Sequence, residues 1–162
     1  MIKVIGIGNI LLSDDGIGIK VLENLEKDLE EISDNIKIII GETDCYYCLD
    51  NIEEEDFLII LDSTYLGIEP GSVTVLTLEE CDEYMKSFIT AHEDSLINIL
   101  RRQYRDVKGY LIGIEIAEIG FSLELSMVLQ EKFQEICLII KEKIKDILYL
   151  QGAKTRALGS EN

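Results

Sequence analysis

Short apolar segments alternate with longer amphipathic segments along most of this chain. Three of the apolar segments, Ile2 to Ile7, Ile36 to Ile40 and Phe57 to Leu61, lack the alternation of polar and apolar side chains that a half-exposed strand shows. Continuously apolar strands are typical of parallel sheets covered by helices on both faces. The pattern predicts an α/β fold, a three-layer α/β/α sandwich around a mostly parallel, twisted sheet of about five strands.

The other predicted elements fit this architecture. Val73 to Leu76 and Tyr110 to Ile116 are the two further predicted strands. Helical spacing of apolar residues begins at Ile17 and recurs from Asp94 to Gln103 and from Leu123 to Leu150. The apolar pattern therefore alternates strand and helix, as expected for a parallel sheet whose connections are helical.

Length and composition limit the possible function classes. We expect one domain over residues 1–150 and a flexible tail over residues 151–162, where the apolar period is lost. The chain has 15 Lys plus Arg against 32 Asp plus Glu, a net charge of -17 at pH 7. This charge opposes binding to nucleic acid and to anionic membranes. No apolar run reaches the roughly 18 residues of a membrane span, and no signal-peptide pattern is visible, so a cytoplasmic protein with reduced cysteines is expected.

The most informative stretch runs from Gly6 to Gly18, Gly-Ile-Gly-Asn-Ile-Leu-Leu-Ser-Asp-Asp-Gly-Ile-Gly, after the first strand. A dinucleotide-binding loop would need a glycine in place of Leu11, and Asp14 and Asp15 would repel a pyrophosphate at the helix N-terminus. One structural interpretation is that Ser13 or Asp14 caps the helix while Asp15 complements its dipole. It leaves the flanking glycines unexplained, since each costs about 1 kcal/mol relative to alanine within a helix.

Two more polar residues are expected at the same edge of the sheet. Asp62 directly follows the third strand, and open α/β sheets bind ligands at the carboxyl ends of their strands. His92, the only histidine, precedes the helix predicted from Asp94. Each residue alone could serve a turn or a cap. In a parallel sheet, however, Asp15, Asp62 and His92 can meet in one cleft, and two carboxylates with an imidazole suit nickel or zinc.

The chain resembles the hydrogenase maturation endopeptidases. The resemblance includes the Gly6 to Gly18 motif, an aspartate after the third strand and a histidine before a helix, and it extends to Gly113-Ile114-Glu115 and Gly120-Phe121-Ser122-Leu123. Members of this family remove a short C-terminal peptide from the precursor of the nickel-containing hydrogenase large subunit, after nickel has been inserted.

The resemblance implies an endopeptidase that recognises the nickel-loaded precursor through Asp15, Asp62 and His92, which would be both metal ligands and catalytic residues. The precursor would supply the nickel, and the isolated protein would bind it weakly or not at all. A metal held between enzyme and precursor could polarise the scissile carbonyl and activate a water, and a carboxylate acting as general base would serve equally well. Two alternatives remain open: a non-enzymatic nickel-precursor binding or chaperone protein, and a related endopeptidase with a nickel-independent substrate, such as the germination proteases of spores.

The loop after the second strand departs from the family pattern. The family has a Gly-Gly-Thr turn, whereas this chain has Gly41-Glu42-Thr43 and then the Cys45-Tyr46-Tyr47-Cys48 segment. Because this loop is expected to contact the precursor, the difference indicates a different hydrogenase class or a different substrate. The paired cysteines also allow a redox or zinc site, although Cys81 and Cys137 do not form the second closely spaced pair that a zinc site would need.

Overall fold

The structure, a computed structural model, describes residues 1–87 and 95–159. Its strands are Ile2–Ile7 (β1), Ile36–Glu42 (β2), Phe57–Thr64 (β3), Val73–Thr77 (β4) and Lys108–Glu115 (β5). Its helices are Ile17–Ile32 (α1), Cys45–Asp50 (α2), Leu78–Ser87 (α3), Leu96–Gln103 (α4) and Met127–Gly159 (α5). A short 3-10 turn, Ser13–Gly16, precedes α1. No helix in these ranges is both long enough and apolar enough to cross a membrane.

The strands form one sheet in the order β2-β1-β3-β5-β4. The pairs β1–β2, β1–β3 and β3–β5 are parallel, and β4 is an antiparallel edge strand beside β5. The expected mostly parallel sheet is therefore confirmed. The parallel strands all end at one side of the sheet, which we call the carboxyl edge.

Helices cover both faces of the sheet, which confirms the three-layer sandwich. On one face α1 and α5 pack against side chains such as Val4, Ile59 and Ile112. On the other face α2, α3 and α4 pack against side chains such as Ile5 and Leu58. Successive strand residues point to opposite faces, so a strand covered on both sides needs apolar residues at every position.

Two helices were not predicted from the sequence. α2 is only six residues long, which is too short to show a helical period. Asp44 is its N-cap, and the Asp44 side chain accepts a hydrogen bond from the Tyr47 N–H at 2.8 Å. α3 begins with a capping box, in which the Thr77 N–H donates to Glu80 Oε2 at 2.7 Å and the Glu80 N–H donates to Thr77 Oγ1 at 3.1 Å. The Thr-x-x-Glu spacing is a sequence signal that could have located α3.

The last helix differs from its predicted bounds at both ends. α5 begins at Met127 rather than Leu123 and continues to Gly159, so the boundary expected after residue 150 lies inside a helix. The segment from 116 to 126 is a loop. Residues 160–162 lie outside the described residues, and the division into a domain and a tail stays a prediction.

Gly18 allows the first turn of α1 to lie against the end of β3. A Cβ at this position would lie 2.7 Å from the carbonyl oxygen of Leu61 and 3.2 Å from the backbone nitrogen of Asp62. This close approach explains a glycine that helix capping leaves unexplained.

We expect Gly18→Ala to lower the free energy of unfolding by about 1–3 kcal/mol, because the added methyl group forces the helix away from the strand. Gly152 is the matched control, since it is an exposed helical glycine with open space around its Cβ position. Gly152→Ala should be neutral or stabilise by up to about 1 kcal/mol. Urea unfolding followed by circular dichroism measures both, and equal effects would contradict the close approach.

Candidate active site

β1 and β3 separate from each other at the carboxyl edge. Their pairing ends at Gly6 and Leu61, while β3 continues beside β5 as far as Thr64. The 3-10 turn contacts the end of β3 at this opening. Asp62 lies on the part of β3 that β1 has left, and Asp15 lies on the turn. The sequence placed Asp62 just after its strand, but the structure places it inside β3, because β5 continues the ladder.

Ser63 connects the two carboxylates. Its hydroxyl donates a hydrogen bond to Asp15 Oδ1 at 2.8 Å, and its backbone N–H donates to Asp62 Oδ1 at 2.8 Å. The N–H of Asn9 donates to the other carboxylate oxygen of Asp15, Oδ2, at 2.8 Å. Both aspartates are partly exposed, so their oxygens keep lone pairs for a ligand. Neither Ser63 nor Asn9 was predicted to have a role, although Asn9 belongs to the motif that carries Asp15 and Ser63 directly follows Asp62.

The surroundings of Asp62 favour its protonated form. The residue is partly exposed, but protein atoms closely surround its carboxyl group. The pKa of Asp62 is raised to about 7, mainly by loss of hydration and also by the negative charge of Asp15, while the Ser63 N–H has the opposing effect. A carboxyl group with a pKa near neutrality exchanges protons readily at neutral pH, as a general acid or base must.

Asp14 is buried and has a structural role. Its Oδ2 accepts hydrogen bonds from the N–H groups of Ala117 at 2.9 Å and Glu118 at 3.1 Å. Its Oδ1 accepts one from the N–H of Ser126 at 2.7 Å. Asp14 therefore ties the loop 116–126 to the 3-10 turn, and its oxygens are occupied by these donors.

The interpretation of Ser13 or Asp14 as a helix cap is wrong. The N-cap positions are Leu12 for the 3-10 turn and Gly16 for α1, and neither has a side-chain capping bond. Both aspartates lie in the 3-10 turn, and α1 begins only at Ile17, so neither aspartate is at the N-cap of α1. Asp14 then points into the protein while Asp15 points to the opening beside β3.

Glu115, at the end of β5, is a second buried carboxylate with occupied oxygens. It accepts hydrogen bonds from the N–H groups of Leu66, Gly67 and Ile68 at 2.8 to 3.2 Å, and from the hydroxyl of Thr64 at 3.2 Å. These bonds fold the loop after β3 around a single side chain. From the sequence, Glu115 was identified only as part of the family resemblance.

His92, the third expected member of the site, lies outside the described residues, and its position stays a prediction. Asp62 shares the alternating face of β3 with Leu58 and Ile60, and α4 covers this face. α4 begins at Leu96, four residues after His92 in the sequence. Among the described residues no group of three or more His, Cys, Asp or Glu could hold a metal. Two carboxylates alone are too few ligands to retain a divalent ion tightly.

Cys48, the second of the paired cysteines, does not lie in a reactive environment. Cys48 is buried, and its Sγ fills the space that a Cβ on Gly41 would need. Burial, with the nearby Cys45 and Asp44, raises the pKa of the Cys48 thiol to about 12. A thiol that stays protonated at neutral pH is neither a good nucleophile nor a ready metal ligand. The structure therefore favours a packing role for Cys48.

The last residue of β2, Glu42, has a backbone conformation that is typical of glycine. Glu42 has a φ of 48°, in the left-handed region that glycine adopts most easily. It occupies the position where the family pattern has the second glycine. Its carbonyl oxygen accepts a hydrogen bond from the N–H of Gly8 at 2.9 Å, so the turn adjoins the loop that carries Asp15. An exposed carboxylate is thereby added to the carboxyl edge.

Comparisons with known proteins place this chain among hydrogenase maturation proteins. The family model for hydrogenase maturation protease matches residues 19–143. The hydrogenase expression/formation protein HupD of Rhizobium leguminosarum bv. viciae is 39% identical over 83 residues, 51% of this chain and 41% of that protein. The hydrogenase 2 maturation protease of Escherichia coli K12 is 33% identical over 100 residues. The chain covers 41% and 60% of the lengths of these two relatives.

The fold is similar to that of solved structures. The hydrogenase maturating endopeptidase HybD from Escherichia coli superposes with a TM-score of 0.70 and 22% sequence identity. The match covers 90% of this chain and 92% of the HybD chain. At this identity the likeness shows the fold alone.

The neighbouring aspartates should respond differently to the same substitution. We expect Asp14→Asn to lower the free energy of unfolding by about 2–4 kcal/mol, because an amide cannot accept all the buried N–H groups that the carboxylate satisfies. Asp15→Asn, at a partly exposed position, should cost about 1 kcal/mol or less. Urea unfolding of both variants tests this, and similar losses would contradict the separate roles of the two carboxylates.

Asp62 should make the wild-type protein less stable as the pH rises. Its folded pKa of about 7 exceeds the unfolded value of about 4. The native state therefore binds more protons between these values, and the free energy of unfolding falls from about pH 4 to about pH 7. Asp62→Asn should remove this contribution, whereas Asp15→Asn should retain most of it. Urea unfolding at several pH values measures it, and the same pH dependence in wild type and Asp62→Asn would contradict the raised pKa.

Proposed function

The chain belongs to the hydrogenase maturation protease family, and we propose that it is an endopeptidase that removes a C-terminal peptide from the precursor of a nickel-iron hydrogenase large subunit. The observation that carries this proposal is the pairing of Asp15 and Asp62 through Ser63 at the carboxyl edge. Open α/β sheets bind their ligands at this edge. In this proposal Asp15, Asp62 and His92 contact nickel that is already bound to the precursor.

A site with few protein ligands suits a metal that arrives with the substrate. Two carboxylates and one imidazole would leave several coordination positions of nickel to ligands from the precursor. The free ion would then bind weakly, and the nickel-loaded precursor would bind well because both partners contribute ligands. Cleavage would follow only after nickel insertion, so the protease would report completed metal loading.

Asp62 is the best-placed general base among the described carboxylates. In the metal-free protein its pKa is about 7, and with one oxygen not bound to nickel it could take a proton from the water that attacks the scissile carbonyl and return it to the leaving amine. Nickel on the precursor would polarise that carbonyl as a Lewis acid. The hydroxyl of Ser63 donates to Asp15, so we assign it the role of orienting Asp15 rather than that of a nucleophile.

Intact-mass measurement of a host large-subunit precursor, with and without nickel, tests this function. We expect the protein to remove a C-terminal peptide only from the nickel-loaded precursor. Asp15→Ala, Asp62→Ala and His92→Ala should each lower the cleavage rate by about 100-fold or more, because each removes a metal or proton contact. Asp146→Ala, at an exposed position on α5, is the control and should cleave like wild type.

Each other outcome selects a different function. Complex formation without peptide loss would favour a nickel-precursor binding or chaperone protein. Cleavage of the nickel-free precursor would keep the endopeptidase and discard recognition through nickel. Full activity of His92→Ala would remove the histidine from the site.

A further inference from the structure

The loops at the carboxyl edge contain acidic residues but no lysine or arginine. This holds for residues 8–16, 65–72 and 116–126, which follow β1, β3 and β5, and for residues 42–44 at the end of β2. Their exposed carboxylates are Glu42, Asp44, Glu69, Glu118 and Glu124. Lysines instead stand at the opposite edge, as Lys37 and Lys108 do at the starts of β2 and β5. The opposite edge also carries Glu54 and Glu55, so its charges are of both signs, whereas these loops at the carboxyl edge carry carboxylates alone.

Of these exposed carboxylates, only Glu69 forms an ion pair within the described residues. Glu69 forms an ion pair with Lys132 at 2.5 Å. Within the described residues, neither Glu118 nor Glu124 takes part in an ion pair. Asp15 and Asp62 lie at the same edge. The result is a region of negative potential around the candidate active site.

Large apolar side chains are exposed in the same loops. Phe121 is 95% exposed and Tyr65 is 81% exposed, and clustered exposed apolar side chains often mark an interaction site. Together with four aliphatic residues they form a set that we call the apolar rim: Leu11, Tyr65, Leu66, Ile119, Phe121 and Leu123, each at least 56% exposed.

The rim is held next to the active-site carboxylates by buried hydrogen bonds. Glu115 fixes the loop that carries Tyr65 and Leu66, directly after Asp62 and Ser63 on β3. Asp14, the neighbour of Asp15, fixes the loop that carries Ile119, Phe121 and Leu123. Ser122 also pairs with the loop after β1, because its N–H donates to the Leu11 carbonyl at 3.1 Å. Loops already ordered before binding lose less entropy when a partner binds.

We propose that the apolar rim and its acidic surroundings form the docking surface for a segment of the hydrogenase precursor that carries both apolar side chains and lysine or arginine. This inference rests on the proposed function, since the active site lies within the surface. Charge complementarity supports the choice of partner: a basic segment would be attracted, whereas nucleic acid would be repelled. A second copy of this chain meeting through the same surface would bring like charges together.

Charge reversal tests the docking surface. The variant Glu118→Lys/Glu124→Lys changes two exposed rim carboxylates, and Glu54→Lys/Glu55→Lys makes the same charge change in the exposed turn before β3, at the opposite edge. Binding to the immobilised nickel-loaded precursor is measured at low and high salt. We expect the first variant to associate about tenfold more slowly than wild type at low salt and to show a weaker salt dependence. The control variant should bind like wild type.

An apolar substitution tests the second part of the surface. Phe121→Ser should raise the dissociation rate about tenfold, because a central aromatic contact mainly slows dissociation. Its position is 95% exposed in the free protein, so the thermal unfolding temperature should stay unchanged.

The outcomes separate the docking surface from the proposed cleavage. Precursor binding that depends on these residues without peptide loss would support docking and overturn the endopeptidase. Cleavage and binding unaffected by the two variants would overturn docking and keep the endopeptidase. If the control variant lost as much binding as the rim variant, net charge alone would explain the effect, and docking at this surface would be overturned. A wild-type protein that did not bind the precursor would also overturn docking. A wild-type dimer in sedimentation that the variants dissociate would assign the surface to a second copy instead.

Discussion

The buried carboxylate of Asp14 is the interaction on which the carboxyl edge depends. It accepts three backbone N–H groups, and the first of them, on Ala117, lies 103 residues away along the chain. A buried N–H group without an acceptor costs about 1–3 kcal/mol. The loop 116–126 is therefore held against the 3-10 turn, where Asp14 supplies the acceptors. That turn also carries Asp15. The same bonds therefore set the position of a candidate active-site residue and of a loop that we propose to contact the substrate.

The carboxylates at this edge differ in how many hydrogen-bond donors of the protein contact their oxygens. Asp14 and Glu115 are 0% and 1% exposed, and several protein donors satisfy each of them. Asp15 and Asp62 are partly exposed and share the donor groups of Ser63. Carboxylates saturated with donors act as structural supports, whereas carboxylates with free lone pairs can bind a metal or accept a proton. This criterion separates two aspartates that are adjacent in sequence.

The predicted bounds of a strand or helix agree best with the structure where the apolar pattern of that segment is strong. β1 was predicted with its observed bounds, because both faces of this strand are buried and its residues are almost all apolar. β3 extends to Thr64, past its predicted end at Leu61, because β5 keeps pairing with its polar residues. α2 has too few residues for a helical period. The start of α5 was predicted too early because Leu123 and Leu125, just before the helix, extend its apolar pattern.

The sequence by itself determined the α/β class, the mostly parallel sheet and the nomination of Asp15 and Asp62, because apolar periodicity and strand ends are local properties. Only the tertiary structure decided that Asp14 is a support, that Ser63 joins the two aspartates and that Asp62 has a pKa of about 7. The physical reason is that hydrogen-bond partners and loss of hydration come from segments distant in sequence. No local pattern records which of these segments will pack against a given carboxylate.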